Sequence, residues 1–350
     1  NNNKLLGVQG DYPPGGVQGQ SPWLIQIING LQSGFPLTSS PFAVVAAQLK
    51  MEEALLLRQL NELLQEGFLT RFGPFFNAER MGGGVTLAAM RVPECDFEAV
   101  AALLNEQPEV AHNYARDHEW NMWFVVATER QQEIRDVLAR IESLTNLLVF
   151  DLPKLEEYRL GFQLRIDANG AIDTHPFYDE ARVDTTEMPE ALDRAIIAAT
   201  QAGLPLVAEP YRAVAETLCV HEETVLAHLR KMVHYGWIRR IGVATNHYRL
   251  GLKGNGMSVW NVPDEKVSQL GKKIGALGFV THCYQRPRHP PAWPYNLFVM
   301  VHGPDREAVG IKIDFIKELL GSDNKGHLVL HSTRILKKTG LRFKTMGGQD

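Results

Sequence analysis

The 350-residue sequence predicts an α+β protein made by tandem duplication. Each half is read as a small helical domain followed by a layer of strand, helix, strand, strand, helix and strand. Three observations carry this. Pro36, Pro41, Val45, Ala46, Leu49, Glu53, Leu60, Gly67, Arg71, Gly73, Asn77, Arg80 and Gly82 each recur 169 positions later, from Pro205 to Gly251. One inserted residue then makes the spacing 170, pairing Pro93 with Pro263, His112 with His282, Tyr114 with Tyr284 and Arg116 with Arg286. Within each copy the apolar period changes from helical to alternating. Two units this long are a duplication and not a solenoid array, so the chain reads as a covalent pseudo-dimer.

The elements follow in order. Residues 1–20, rich in Asn, Gly, Gln and Pro, read as a flexible tail. Residues 21–82 hold WLIQIINGLQ and FAVVAAQLKMEEALLLRQLNELLQEG, apolar at helical spacing, closed by a Gly and the short strand FLTRFG. This is the pattern of a winged helix-turn-helix. Residues 83–166 supply the strand GGVTLAAMRVP, the helix DFEAVAALLNEQP, two strands around His112–Thr128, the helix RQQEIRDVLARIESLT and the strand NLLVFDLPKLEEYRLGFQL. That order is ferredoxin-like. Polar residues 167–187, with little periodicity, read as a linker. Residues 188–252 repeat the helix-turn-helix and 253–345 the ferredoxin-like domain.

Composition narrows the class. A hydrophobic fraction of 45% and a charged fraction of 22% fit a folded globular protein. No apolar run has the length of a membrane span, and no signal-peptide pattern is seen, so a cytoplasmic location is expected. Cys95, Cys219 and Cys283 lie far apart, which argues against a disulfide framework or a structural zinc site. Thiol chemistry at Cys283 has Asn113 as its counterpart in the first copy, so a small buried thiol is the default. Through Gly170 there are 13 Lys and Arg against 21 Asp and Glu, or −8; the remainder has 23 against 19, or +4. The two halves should therefore attract each other. Neither MGGGV nor GLKGNG carries a dinucleotide or P-loop pattern.

A helix-turn-helix ahead of a ferredoxin-like domain resembles the Lrp/AsnC family of amino-acid-responsive transcription regulators. DNA binding is the first function to weigh. The first candidate recognition helix sets Glu52, Glu53, Glu62 and Glu66 against Arg58 alone, and the second offers Arg230 and Lys231 beside Glu222 and Glu223. With an isoelectric point near 6.3 and no dense basic patch, DNA is an unfavourable partner.

Each copy instead keeps a His-x-Tyr-x-Arg cluster before an aromatic strand: HNYARDHEWNMWFVV from His112 and HCYQRPRHPPAWPYNLFVM from His282. Imidazole, phenol and guanidinium held together point to an anionic ligand. These clusters, with NAERMG from Asn77 and NHYRLG from Asn246, resemble the siroheme decarboxylase family, over residues 23–165 and 188–343. The resemblance implies removal of carbon dioxide from two acetate side chains of siroheme, in nitrite-reductase haem or alternative haem biosynthesis. It implies no organic cofactor, since the substrate brings its own iron. It also implies two Lrp-like halves, usually separate subunits and here fused, which could assemble further.

The residue chemistry agrees. Siroheme is a broad, partly apolar disc carrying carboxylates, so its pocket needs apolar walls and cationic donors. Trp120, Trp123, Phe124, Trp293, Tyr295 and Phe298 are the candidate walls; Arg80, Arg116, Arg249, Arg286 and Arg288 are the candidate carboxylate partners, with His247 beside them. Loss of carbon dioxide leaves negative charge on a methylene carbon that must be protonated. His112, His118, His282 and His289 are the candidate donors, supported by Tyr114 and Tyr284. His302, His327 and His331 are read as structural. Two alternatives are a haem- or siroheme-responsive regulator that binds DNA, and a carrier that leaves siroheme unchanged.

Overall fold

The computed structural model describes residues 22–176, 183 and 185–338. The expected tail lies outside these residues. The first half opens with α1 (Pro22–Leu31), α2 (Pro41–Gln48), α3 (Glu53–Gln65) and strand β1 (Leu69–Phe76). Helix α3 buries Leu56, Leu60 and Leu63, one stripe at i, i+4 and i+7. Gly67 ends it at φ 77°, a left-handed conformation that costs glycine nothing. Then come β2 (Gly84–Met90), α4 (Phe97–Glu106), β3 (Val110–Arg116), β4 (Met122–Thr128), α5 (Glu133–Thr145) and β5 (Val149–Pro153). Three short strands close the half: β6 (Glu156–Leu160), β7 (Phe162–Ile166) and β8 (Ile172–Pro176).

The second half repeats the plan with α6 (Ala191–Thr200), α7 (Pro210–Thr217), α8 (Glu222–His234), β9 (Ile238–Thr245), β10 (Gly254–Trp260) and α9 (Val267–Gly275). It ends with β11 (Val280–Gln285), β12 (Leu297–Gly303), α10 (Arg306–Leu320) and β13 (His327–Lys338). Each half has the ferredoxin-like strand order, β5-β2-β4-β3 and β13-β10-β12-β11.

The halves exchange strands. The twelve-residue β13 pairs with β10 up to His331 and with β3 of the first half from Ser332 onward. Likewise β5 pairs with β2, and the chain then continues as β6 against β11 of the second half. The nine-stranded sheet thus runs from β5 to β6, edge strands that are consecutive in the chain. The interior is filled from both halves by Ala89, Trp120, Trp123, Phe150 and Leu152 with Met257, Val259, Trp293, Phe298 and Leu330. Outside, α4 and α5 cover one half's strands, and α9 and α10 the other's.

Two local expectations are corrected. The strand after the helix-turn-helix forms no wing of its own: β1 pairs antiparallel with β9, so that the equivalent residues Gly73 and Gly242 face each other. A Cβ on Gly242 would stand 2.3 Å from the Leu31 carbonyl oxygen, which explains the glycine. The two helix-turn-helix units consequently share one apolar core. The stretch expected as a linker begins inside a hairpin, since β8 pairs with β7. Leu164 and Ile166 of β7 are buried in the helical core, and Asn29 of α1 and Gln32 just after it bond the β7 backbone. Short apolar alternation next to polar residues gave too little signal to reveal it.

Candidate functional site

Alternation on β3 and β11 sorts the two clusters. Asn113 and Cys283 turn toward the helices: Asn113 donates to Asn105 Oδ1 on α4, and the Cys283 thiol meets the Gly271 carbonyl on α9. Burial raises the Cys283 pKa, which leaves it an inert thiol. His112, Tyr114 and Arg116, like His282, Tyr284 and Arg286, turn the other way.

Four imidazoles meet on that side. His282 on β11, His302 on β12 and His247 in the turn after β9 act on one another in sequence, and Lys338 acts on His112 of β3 as well as on His247 and His302. Burial is the largest cause, and neighbouring cations add to it, holding His112 and His282 at about 4 and His247 and His302 at about 3. Lys338 and Lys337 act on His112; Arg239, Arg286, His247 and Arg159 act on His282. The His247 and His302 rings sit 5.2 Å apart, edge to face. Burial lifts Tyr114 to about 12, so its hydroxyl stays protonated. All four imidazoles are thus neutral in the ligand-free protein near neutral pH, close to the basic groups that hold them so.

Arg116 is buried and carries no carboxylate contact among the described residues. Its guanidinium donates to the Leu330 carbonyl at 2.7 Å, while Nε has no partner there. A buried charge left in that state is costly unless an anion joins it. The other cluster differs: Glu79, Lys154 and Glu157 form a chain of ion pairs of 2.7 and 2.6 Å, and Glu79 and Glu157 act on Tyr284. Glu79 is the counterpart of Tyr248, which stands near Tyr114 and Arg116. One cluster supplies its own carboxylates and the other does not.

Several expected site residues are held elsewhere. Trp120 stacks on Phe150 at 3.8 Å, and Trp123 donates to the Trp120 carbonyl at 2.7 Å and packs on Trp293. These indoles, with Phe298, fill the space between the sheets, and Phe124 faces the helices, so none of them is a free wall. Tyr295 meets Trp293 edge-on. His118 accepts the Trp120 N–H at 3.1 Å and abuts Trp293. His289 stacks on Phe150 at 4.5 Å and donates through Nε2 to the Asp151 carbonyl at 2.7 Å. Arg288 spends its donors on Asn261, Val262, Asp264 and Pro294, bracing the proline-rich loop.

The repeated arginines bind across the halves. Arg71 donates to the Gln201 carbonyl and its equivalent Arg240 to that of Gln32; Arg80 reaches Tyr235 and Arg249 reaches Glu66; Arg116 reaches Leu330 and Arg286 reaches Leu152. Tyr235 and Glu66 cap α8 and α3, where a cation suits the helix dipole. Recurrence in both copies marks what joins the copies. The residues missed by sequence reasoning also differ between the copies: Arg239 for Thr70, Tyr248 for Glu79, His302, which was read as structural, for Ala127, and Lys338 beside His112 where Leu160 stands beside His282. The usable signal was a cation or imidazole present in one copy only.

Basic groups of the second helix-turn-helix are occupied. Arg230 pairs with Glu223 at 2.7 Å and donates to the Leu37 carbonyl, and Lys231 pairs with buried Asp193. That leaves little for a phosphate backbone.

Known proteins match this arrangement. The AsnC-like ligand binding domain family matches residues 80–159 and 249–337, and the Siroheme decarboxylase NirDL-like HTH domain family matches 25–69 and 193–239. The siroheme decarboxylase NirDL subunit of Paracoccus pantotrophus is 32% identical over 90% of this chain and 95% of its own. The NirH subunit of the same organism is 53% identical over 45% of this chain and 97% of its own. A crystal structure of the siroheme decarboxylase NirDL with an iron-uroporphyrin III analogue superposes with a TM-score of 0.70 at 28% identity, covering 91% of this chain and 93% of that one. The chain therefore belongs to the siroheme decarboxylase family.

Proposed function

We propose that this chain is a siroheme decarboxylase, a carboxy-lyase that removes carbon dioxide from two acetate side chains of siroheme to give didecarboxysiroheme. It acts in the cytoplasm, as part of nitrite-reductase haem or alternative haem biosynthesis, and needs no organic cofactor. The observation that carries this is the basic pole: four neutral imidazoles acted on by Arg159, Arg239, Arg286 and Lys338, with Arg116 next to Tyr114, in a half-to-half contact that only the folded pseudo-dimer builds.

Carboxylates of siroheme neutralise Arg116, Lys338, Arg239 and Arg159 and fix the disc. Their negative charge raises the imidazole pKa values, so the substrate itself recruits the protons that the reaction consumes. The reacting acetate, held in a dry site, loses carbon dioxide, and the electron pair left on its methylene carbon delocalises into the macrocycle. An imidazolium then protonates that carbon. Tyr114 and Tyr284, both kept protonated by burial, donate hydrogen bonds.

Anaerobic incubation with siroheme and mass spectrometry of the extracted tetrapyrrole tests this. Loss of two carbon dioxide units supports the decarboxylase. Bound siroheme of unchanged mass overturns it in favour of a carrier.

A further inference from the structure

We propose that Thr281 is a positioning residue that confines the exchangeable proton of His282 and His302 to Nε2, making the second half the one that delivers protons. The proposal rests on siroheme decarboxylation as the reaction of this site and deepens it.

Thr281 is fully buried on β11. Its Oγ1 lies 3.1 Å from the Met300 carbonyl oxygen, 3.1 Å from His302 Nδ1 and 3.2 Å from His282 Nδ1. A hydroxyl has one proton to give and two lone pairs to offer. Because the carbonyl can only accept, the proton goes to Met300 and both lone pairs remain for ring N–H donors. Each imidazole therefore keeps its Nδ1 proton whether neutral or charged, and gains or loses its second proton at Nε2.

The transfer then balances. The Nε2–H bond of an imidazolium breaks and leaves its electron pair on nitrogen. The electron pair on the methylene carbon forms the new C–H bond. The ring returns to its neutral Nδ1–H form without turning, and a proton from solvent restores Nε2–H. A ring free to flip would present either nitrogen to the substrate, so the Thr281 contact matters to catalysis and not only to packing.

The first half lacks the device. Ala111 stands in place of Thr281, 170 positions earlier. Ala127, sixth residue of β4, stands in place of His302, sixth residue of β12. His112 Nδ1 is buried with no hydrogen-bond partner among the described residues. Besides burial, the groups that act on His282 are Arg239 on β9, Arg286 after β11, His247 and Arg159 on β6; those that act on His302 are His282, Lys312 of α10 and Lys338 of β13.

The test compares Thr281→Val, which keeps the shape and removes the hydroxyl, with Thr281→Ser, which keeps it. In the substrate-free protein labelled with 15N-histidine, wild type and Thr281→Ser should show two buried rings protonated at Nδ1, and Thr281→Val a mixture of tautomers. The rate of carbon dioxide release should fall about tenfold or more in Thr281→Val, with KM little changed and the pH profile displaced, and recover to within about threefold in Thr281→Ser. Unchanged ring signals in Thr281→Val, or equal losses in both variants, overturn the proposal. Should Thr281→Val fail to fold, the wild-type spectrum decides, because Nε2–H tautomers at the two rings contradict the hydrogen-bond assignment. A tautomer change in a protein that leaves siroheme intact overturns proton delivery and the decarboxylase reading together, while the ring positioning stands.

Discussion

His112, His247, His282 and His302 are neutral in the ligand-free protein because desolvation and neighbouring cations act in the same direction. Their folded pKa values of about 4 and about 3 lie below the unfolded value of roughly 6.5, so the unfolded chain binds more protons between these limits. Stability from these rings is present above the unfolded pKa and is lost as pH falls through the folded values. Siroheme binding near pH 6 should reverse that balance and take up protons, seen as a dependence of the calorimetric binding enthalpy on buffer ionisation. His282→Ala should slow carbon dioxide release by about 10²–10⁴-fold, the range for a general acid. His289→Ala should leave the rate within a few-fold and cost about 1 kcal/mol of stability through its lost stacking on Phe150, read by urea denaturation.

At the scale of elements, the two helix-turn-helix units achieve the same fold by different chemistry. In the second, α6 and α8 are tied by Asp193, wholly buried and bonded to His228 at 2.6 Å and Lys231 at 2.7 Å. In the first, Leu24, Gln59 and Glu62 occupy these places. Hydrogen bonds from Lys231 and His228 outweigh the burial that would raise the Asp193 pKa, leaving it below the usual carboxylate value. Its contribution is therefore present above the unfolded pKa of about 3.9 and lost as pH falls through the lower folded value. Asp193→Ala should destabilise the protein by about 1–3 kcal/mol near neutral pH, since it removes the charge-assisted hydrogen bonds to half-buried Lys231 and His228. Urea titrations should show that gap closing in acid; a gap independent of pH would contradict the assignment.

Over the whole molecule, strand exchange and crossed arginines make one body of two copies. The nine-stranded sheet needs β13 from one half and β6 from the other at the seams where the halves join. A protease site placed between Pro176 and Met188 should therefore yield two fragments that still elute together on size exclusion. Fragments that separate without denaturant would contradict the seams. Arg116→Ala leaves the Leu330 carbonyl without its donor and should cost about 1–3 kcal/mol in stability.

The duplication, the helix-turn-helix and ferredoxin-like halves and the family resemblance were legible in the sequence, because periodicity, terminal glycines and repeat spacing are local properties of the chain. Some residues of the proposed site were singled out there too: His112, His282, Tyr114, Tyr284 and His247. Tertiary structure alone decided the rest. It sent β6 and β13 across the halves, paired β1 with β9, and buried Trp120, Trp123 and Trp293 between sheets. It also drew His302, Lys338, Arg159 and Arg239 together from separate elements. Contacts set by folding the copies against each other leave no pattern along the chain, and the repeated arginines are repeated because each half must clasp the other, even where one of them, Arg116, keeps a donor for the substrate.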